Sequence, residues 1–520
     1  MTDPKTTRAR IGGKNAALPF EDYLWAAATK LRGKVEEARY KDLVLGLVFL
    51  KFVSESFEHR RKQVAALVAT PDTDYFLNDE ALRVEALDDR DYYTEANVPW
   101  LPSEGRWDFL QVNATQANIG VLIDDAMTAI ERENPTLRGV LPKVYGRYPQ
   151  NLVGPLVSLF SEVITKSEEG QSEDILGRVY EFFLNRFGTN EGGQYYTPQQ
   201  IVRLLVEMLE PYRGRVYDPC CGSGGMFVQS VEFVNRHGGR LGDVRVFGQE
   251  AVEETWRLAK MNLAIRRIDA DLGDGHADTF ADDKHPDLRA DFVLANPPFN
   301  QDDWSSNTTI TGHIWPYGAP APGNGNYAWI QLFLNHLAPG GRAGFVLAKG
   351  SLDAGDEQGA IRRALIEADL VECIVNLPTK LFATTRRGTS IPVSLWFLAK
   401  DRQHRKGQTL FIDGRGIGTM SGRRLRVLGD EDLAKVAGTF HAWRSGQDGT
   451  YEDVRGFSAS ATTDEIKKQG WSLVPGTYTG SAVHDDDDVD VDGMRAEVLR
   501  LIEENARLGA AVTVALERVE

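Results

Sequence analysis

A chain of 520 residues, 42% hydrophobic and 26% charged, has the make-up of a globular protein of two to four domains, which excludes a small stapled module, a fibre and a wholly disordered polymer. Its three cysteines, Cys220 and Cys221 adjacent and Cys373 alone, cannot build a disulfide framework or a four-ligand zinc site, and a reducing cytoplasm is the expected setting. A formal charge of -16 argues against a surface that grips nucleic acid throughout, although residues 1–62 carry 13 Lys and Arg against 8 Asp and Glu.

After a polar tail over 1–19, apolar positions recur at three and four residues through Leu24, Ala28, Leu31, then Leu43, Leu47, Leu50, Val53 and Phe57, which predicts a pair of amphipathic helices. Residues 72–105 are polar and read as irregular, and helical spacing resumes at 119–130 and 152–164. An all-helical domain is therefore expected over 20–150. From 175 onward short apolar runs bounded by Gly, Pro or Asp alternate with helical patterns; the runs are 215–217, 244–248, 291–295, 343–348, 370–377 and 394–398. That alternation predicts a parallel, doubly wound α/β sheet in a catalytic domain over 151–425. A Gly, Pro and Asn-rich stretch over 300–326 interrupts it and is long enough to be a functional loop. Strand signals thin out beyond 400, leaving a C-terminal region over 426–484. An acidic run, Asp485 to Asp488, opens a last segment over 485–520 with an apolar helical face, read as a linker and a helix for core packing or a partner. No run approaches the roughly eighteen apolar residues of a membrane span, and residues 1–10 lack a signal peptide's apolar core; no membrane partner is expected.

Two short segments carry chemistry. In Asp218-Pro-Cys-Cys-Gly222-Ser223-Gly224-Gly225 a strand ends in a carboxylate, glycines follow at once, and a helix begins near Met226. Glycines let the backbone approach a ligand, and the helix start offers unpaired N–H groups. Glu250 ends the next strand, where a carboxylate can accept both hydroxyls of a ribose. There is no Gly-Lys-Ser/Thr, so this is not an ATPase loop. The second segment runs from an apolar strand into Asn296-Pro297-Pro298-Phe299. Two prolines remove two backbone donors and stiffen the turn. Rigidity has a use here, because an amino group on a base ring shares its lone pair with the ring and is a poor nucleophile. The Asn296 oxygen and the Pro297 carbonyl can hold its two N–H bonds while Phe299 stacks on the base.

Taken together, these segments resemble the amino-methylating S-adenosylmethionine (SAM) enzymes that act on DNA adenine, and over nearly the whole chain the modification (M) subunits of type I restriction-modification systems. Gly193-Gln194-Tyr195-Tyr196-Thr197-Pro198 resembles that family's cofactor-contacting segment, and 325–330 and 341–345 resemble later parts of its catalytic domain. The resemblance implies that 194–198 close over the methionine part of SAM. Asp218, Gly222, Ser223 and Gly224 would line its amino-acid portion, Glu250 hold its ribose and Asp278 lie beside its adenine, with Asp274 competing for that last role. Phe382, in Leu377-Pro-Thr-Lys-Leu-Phe382, would supply a second stacking aromatic, unless it packs in the core. The implied reaction is metal-free methyl transfer to adenine N6 in a specific double-stranded DNA sequence. Sequence reading would come from a separate specificity (S) subunit bound to two M subunits, with a restriction (R) subunit able to join. Alternatives are a protein-glutamine or RNA amino-methyltransferase, cytosine-N4 methylation, or a non-enzymatic assembly scaffold.

Overall fold

The computed structural model describes residues 20–33, 35–162, 172–188, 197–240, 242–305, 315–382, 392–402, 404–422, 425–446 and 449–480. The acidic run, the C-terminal helix and residues 193–196 lie outside the described residues.

The first layer is helical. Phe20–Leu31 leads into Glu37–Ala69, a helix of 33 residues that is buried all round over 43–54, with Leu43, Val44, Leu45, Leu47, Val48, Phe49 and Leu50 fully enclosed. A helix apolar on every side belongs in the middle of a layer, and Ile119–Glu133, Gln150–Glu162 and Ser172–Gly188 share its core. Gly46 is required there because a Cβ would collide with the Tyr145 hydroxyl and sit 2.6 Å from Pro142. That hydroxyl donates to the Leu43 carbonyl at 2.8 Å. Two differences from the sequence reading stand out. The stretch expected to be irregular holds short helices at Glu80–Ala86 and Asp91–Thr94. The layer also runs past 150, because Leu176, Val179, Tyr180 and Phe183 of Ser172–Gly188 are buried in it.

The second layer is a nine-stranded sheet. Its strands are β1 (Gly214–Asp218), β2 (Val244–Gly248), β3 (Ala270–Asp271), β4 (Ala290–Ala295), β5 (Leu337–Ala348), β6 (Val371–Asn376), β7 (Val393–Ala399), β8 (Gln408–Asp413) and β11 (Ser458–Thr462). β9 (Thr419–Ser421) and β10 (Leu425–Val427) form a separate ribbon. The order across the sheet is β11-β8-β6-β7-β5-β4-β1-β2-β3. β1 pairs in parallel with both β2 and β4, so the winding reverses between β1 and β4. Ligands bind at the carboxyl ends of strands at such a reversal. Alternating side chains feed two cores: Val216, Leu294 and Val346 join the helical side, while Tyr217, Val293 and Phe345 face the other.

The sheet is mixed rather than wholly parallel. β7 runs antiparallel between β5 and β6, and β11 antiparallel beside β8. Every residue of β7 is buried, and a continuous apolar run looks alike in either direction. The expected boundary at 425 also cuts through one sheet, since β11 belongs to it. Its Ser-Ala-Ser-Ala-Thr lacks the branched and aromatic residues that mark a strand. The helix Asp430–Arg444 is tied to Gln199–Leu209 through Arg203 to Asp430 (2.6 Å) and a His441 ring nitrogen to the Glu207 carbonyl (2.8 Å). Helical layer and sheet meet at Glu253–Ile265, flanked by Arg266 to Glu181 at 2.8 Å and by Arg257 donating to the Gly139 carbonyl at 3.1 Å. No described helix is long and apolar enough to cross a membrane.

Candidate active site

Three strand ends converge at the reversal. β1 delivers Asp218, only 1% exposed, whose carboxylate accepts from the Cys220 backbone N–H at 3.0 Å. Burial, outweighing that bond, pushes its carboxyl up to about 7. The chain then turns through Gly222 at φ +55°, where a Cβ would meet nothing within 4 Å, an open cradle at the cleft. Gly224, at φ +81°, turns toward Leu263 instead and caps the helix Gly225–Arg236. It sits behind the cavity wall rather than on it, unlike Gly222 and Ser223. After β2, the two Glu250 oxygens accept from Gly222 N–H (3.0 Å) and Val252 N–H (2.9 Å), and burial holds this carboxyl above its ordinary value. A carboxylate has about four lone-pair positions, so acceptor capacity remains.

Asp278 lines the same cavity. Its carboxylate accepts from Phe280 N–H at 2.9 Å, and the neighbouring Thr279 hydroxyl donates to the Pro219 carbonyl at 2.6 Å, stitching this loop to the glycine turn. The competing Asp274 points away, 85% exposed and 3.1 Å from Lys284. Sequence reasoning missed the residue that holds the loop. Gln249, fully buried, takes Lys284 N–H at 2.9 Å and donates to the carbonyls of Ala277 (3.0 Å) and Asp282 (2.7 Å). Its only signal is its place beside Glu250. Asn262 is a second missed support, donating to the Ser223 carbonyl at 2.7 Å.

β4 delivers Asn296. Its Nδ2 donates to the Thr197 hydroxyl at 2.8 Å, and its Oδ1 is buried with no partner among the described residues. Pro297 is buried, Pro298 exposed and Phe299 half-buried against both cores. Asn300, at φ +53°, and Asn326 then clamp the end of the turn, Asn300 N–H to Asn326 Oδ1 at 3.0 Å and Asn326 Nδ2 to Asn300 Oδ1 at 2.8 Å. This second pair was also missed.

These groups line a cavity of about 300 Å³ that includes Cys220, Ser223, Glu250, Asp278 and 296–299. The helical layer contributes Lys41 and Leu184 to its wall. A recess of about 70 Å³ adjoins it, sharing Gly222 and Asn296 and adding Asp218 and Thr197. A wider groove of about 680 Å³ on the helical layer has only Lys30 as an ionisable group, so chemistry rather than volume selects the site. Phe382 stands elsewhere than a stacking role requires. It is 6% exposed, belongs to the same hydrophobic core as Leu377 and Leu381, and is absent from the cavity wall. Cys220 and Cys221 are thiols held well above their usual range, burial leading and the carboxylates of Asp218 and Glu250 adding to it.

The residues fit SAM. An idle buried amide oxygen, an open glycine cradle and two carboxylates that take backbone N–H groups and, at Asp218, the Cys220 thiol at 3.5 Å form a surplus of acceptors, which suits a ligand rich in hydroxyls and positive charge.

Comparison with known proteins agrees with this geometry. Residues 171–487 match the model of the N-6 DNA Methylase family and 20–164 that of the HsdM N-terminal domain. The chain is 39% identical over 505 residues to the type I restriction enzyme MjaIX methylase subunit of Methanocaldococcus jannaschii, covering 94% of this chain and 89% of that one. It is 44% identical over 413 residues to the HindI methylase subunit of Haemophilus influenzae, covering 75% and 92%. In fold it is similar to a type I restriction-modification methyltransferase subunit from Streptococcus thermophilus, with a TM-score of 0.72 at 24% identity, covering 88% of this chain and 98% of that one.

Proposed function

This chain belongs to the N-6 DNA methylase family, as a methylase subunit of the type I restriction enzymes, and from that premise we propose how its residues divide the work. The reaction is methyl transfer from SAM to adenine N6 in DNA, carried out with a specificity subunit in a complex that a restriction subunit can join. When bound, SAM supplies a methyl group on a sulfonium that leaves as a neutral thioether. Glu250 holds the ribose hydroxyls, Asp218, Gly222 and Ser223 the amino-acid end, Asp278 the adenine edge, and 193–198 the methionine side. Asn296 Oδ1 and the Pro297 carbonyl accept the two N–H bonds of the target amino group, Phe299 stacks on the base, and Pro298 keeps the turn rigid. The base must leave the helix to reach them, at a cost of a few kcal/mol that stacking and these bonds offset. Catalysis then rests on positioning and on two fixed acceptor dipoles.

The observation that carries these roles is the idle, buried Asn296 Oδ1 at the switch point of the sheet. Domain roles follow: the helical layer and 485–520 meet the other subunits, a second copy of the chain among them, while the sheet carries the chemistry. Cytoplasm is the matching compartment, since chromosomal DNA is the substrate. Family membership sets aside the protein-glutamine, RNA and cytosine readings, and the acceptor-rich cleft speaks against a bare scaffold. The test uses labelled SAM and duplex DNA, with the chain assayed alone and with its specificity subunit. Label in adenine only when both are present is the expected result; label with the chain alone would return sequence reading to these 520 residues.

A further inference from the structure

The Gly, Pro and Asn-rich loop over 300–326 enters the cleft near its start. Gln301, two residues after Phe299, lines the same cavity as Asp278, Asn296 and Phe299. It is held at both backbone and side chain. Its carbonyl accepts from Gly325 N–H at 2.8 Å, and the Asn300–Asn326 pair fixes the residue before it. Its amide oxygen, Oε1, accepts from the indole Nε1–H of Trp329 at 3.3 Å. Trp329 is 4% exposed and lines the cavity as well, with its ring centroid 4.4 Å from that of Phe280, beside the loop that carries Asp278.

An indole N–H donates and cannot accept. The contact therefore allows one orientation of the amide: Oε1 is turned to Trp329, and Nε2, with its two N–H bonds, has no partner among the described residues. Turning the amide half a revolution would set donor against donor. In a cleft where Asp218, Glu250 and Asn296 Oδ1 supply acceptors, Gln301 is thus a donor fixed in advance. The cofactor's sulfonium and ammonium have no use for a donor, and its carboxylate belongs at the Asp218 end, in a recess whose wall Gln301 does not share. An adenine ring, in contrast, carries in-plane acceptors at N1, N3 and N7. From this we infer that Gln301 is a specificity-determining residue for methyl transfer: its Nε2 donates to a ring nitrogen of an adenine held in the cleft. Two adenines with this same acceptor chemistry enter there, the target base and that of the cofactor. Gln301 follows Phe299 on the base side and adjoins, through Trp329, the Asp278 loop on the cofactor side. The inference rests on the reading of the cleft given above and adds the donor that its acceptors lack.

The test uses the complex of this chain with its specificity subunit and a duplex containing the recognised sequence. Gln301→Met keeps the length of the side chain and removes the donor; Gln301→Glu keeps an oxygen for Trp329 and also lacks the donor. Ring nitrogens are deleted one at a time by replacing N1, N3 or N7 with C–H, in S-adenosylhomocysteine for one arm and in the target adenine of the duplex for the other. The first arm reads affinity by calorimetry, the second kcat/KM for DNA at saturating SAM. In the wild type, one deletion in one of the two adenines should cost about 5- to 50-fold, the range for leaving one polar group unpaired. Gln301→Met should lose a similar factor with the parent ligand and nothing further with that analogue, and the arm that shows this identifies the adenine. Should the methionine variant unfold, Gln301→Glu carries the same comparison. The inference is overturned if each deletion costs the same with and without the donor at 301, or if Gln301→Met binds and transfers as the wild type does. Failure of the underlying reading looks different. Full transfer in Asn296→Ala, or a wild-type complex that does not bind S-adenosylhomocysteine, removes the cleft assignment itself, whereas additive costs beside intact binding and Asn296-dependent transfer remove only the role of Gln301.

Discussion

Two buried polar regions of this molecule treat their charges in opposite ways. At the corner between β6 and β8, Arg402 has a side chain only 3% exposed, and although its Nε has no partner among the described residues, its terminal nitrogens, which carry most of its donors, are shared among the Asp369 carboxylate (3.0 Å) and the carbonyls of Val371 (2.7 Å), Arg405 (3.1 Å) and Gln408. Asp369 in turn takes Gly407 N–H at 2.9 Å. In the cleft, Asp218 and Glu250 take backbone N–H bonds, and Asn296 leaves an oxygen idle. Where the chain answers its own charges, the polar group is architecture. Where acceptors outnumber donors, burial raises both carboxyls, with the Glu250 charge adding to it at Asp218, and the missing donors and positive charge are those a bound ligand brings.

That contrast can be broken at either end. The largest effect is expected from Asn296→Ala, which should cut methyl transfer by about 10²- to 10³-fold while leaving S-adenosylhomocysteine binding intact. Transfer surviving in that variant would reduce the idle oxygen to an accident of packing. At the other region, Arg402→Met removes one partner of a buried pair and should cost about 3–5 kcal/mol in urea unfolding, with the remaining folded protein still binding S-adenosylhomocysteine. A loss below about 1 kcal/mol would show that the corner does not hold the fold together.

A smaller and more diagnostic effect lies in pH. The Asp218 carboxyl, at about 7 in the folded chain without ligand, is raised above the ordinary value of 3.8, so its burial cost appears as pH climbs from about 4 through about 7 and is fully present above that. The ligand-free chain should lose stability across that window. A cationic ligand favours the ionised form, so SAM affinity should rise between pH 6 and 8 with release of a proton, seen as buffer-dependent heat in calorimetry. Asp218→Asn should flatten the profile; an unchanged slope would assign the proton elsewhere. The smallest effect belongs to Phe382→Leu. As a core exchange it should cost less than about 1.5 kcal/mol and leave kcat within about twofold. A large fall in kcat without loss of stability would put the ring back beside the base.

The chemistry-bearing residues were readable in the chain because each lies at the end of a strand within a run of consecutive residues. Asp218 before its glycines, Glu250 closing the next strand, and Asn296 before two prolines all announce themselves over fewer than ten positions. The helical layer was legible because apolar residues recur at three and four positions through Leu43, Leu47, Leu50, Val53 and Phe57, although the helix that carries them is enclosed on every side over 43–54. β11 escaped notice because small residues leave little apolar pattern, and the direction of β7 because a run buried on both faces carries no sign of its polarity.

What the sequence determined by itself was thus the short-range chemistry: the acceptors, the glycine turn and the rigid proline corner. Only the tertiary structure decided which of Asp274 and Asp278 faces the cleft, that Phe382 packs inward, that Gln249 pins the loop carrying Asp278, and that Thr197 reaches Asn296. The physical reason is one of range. Periodicity, turns and caps are settled among neighbours a few residues apart, whereas the partner of a side chain's last hydrogen bond is chosen by packing that brings together segments about a hundred residues apart.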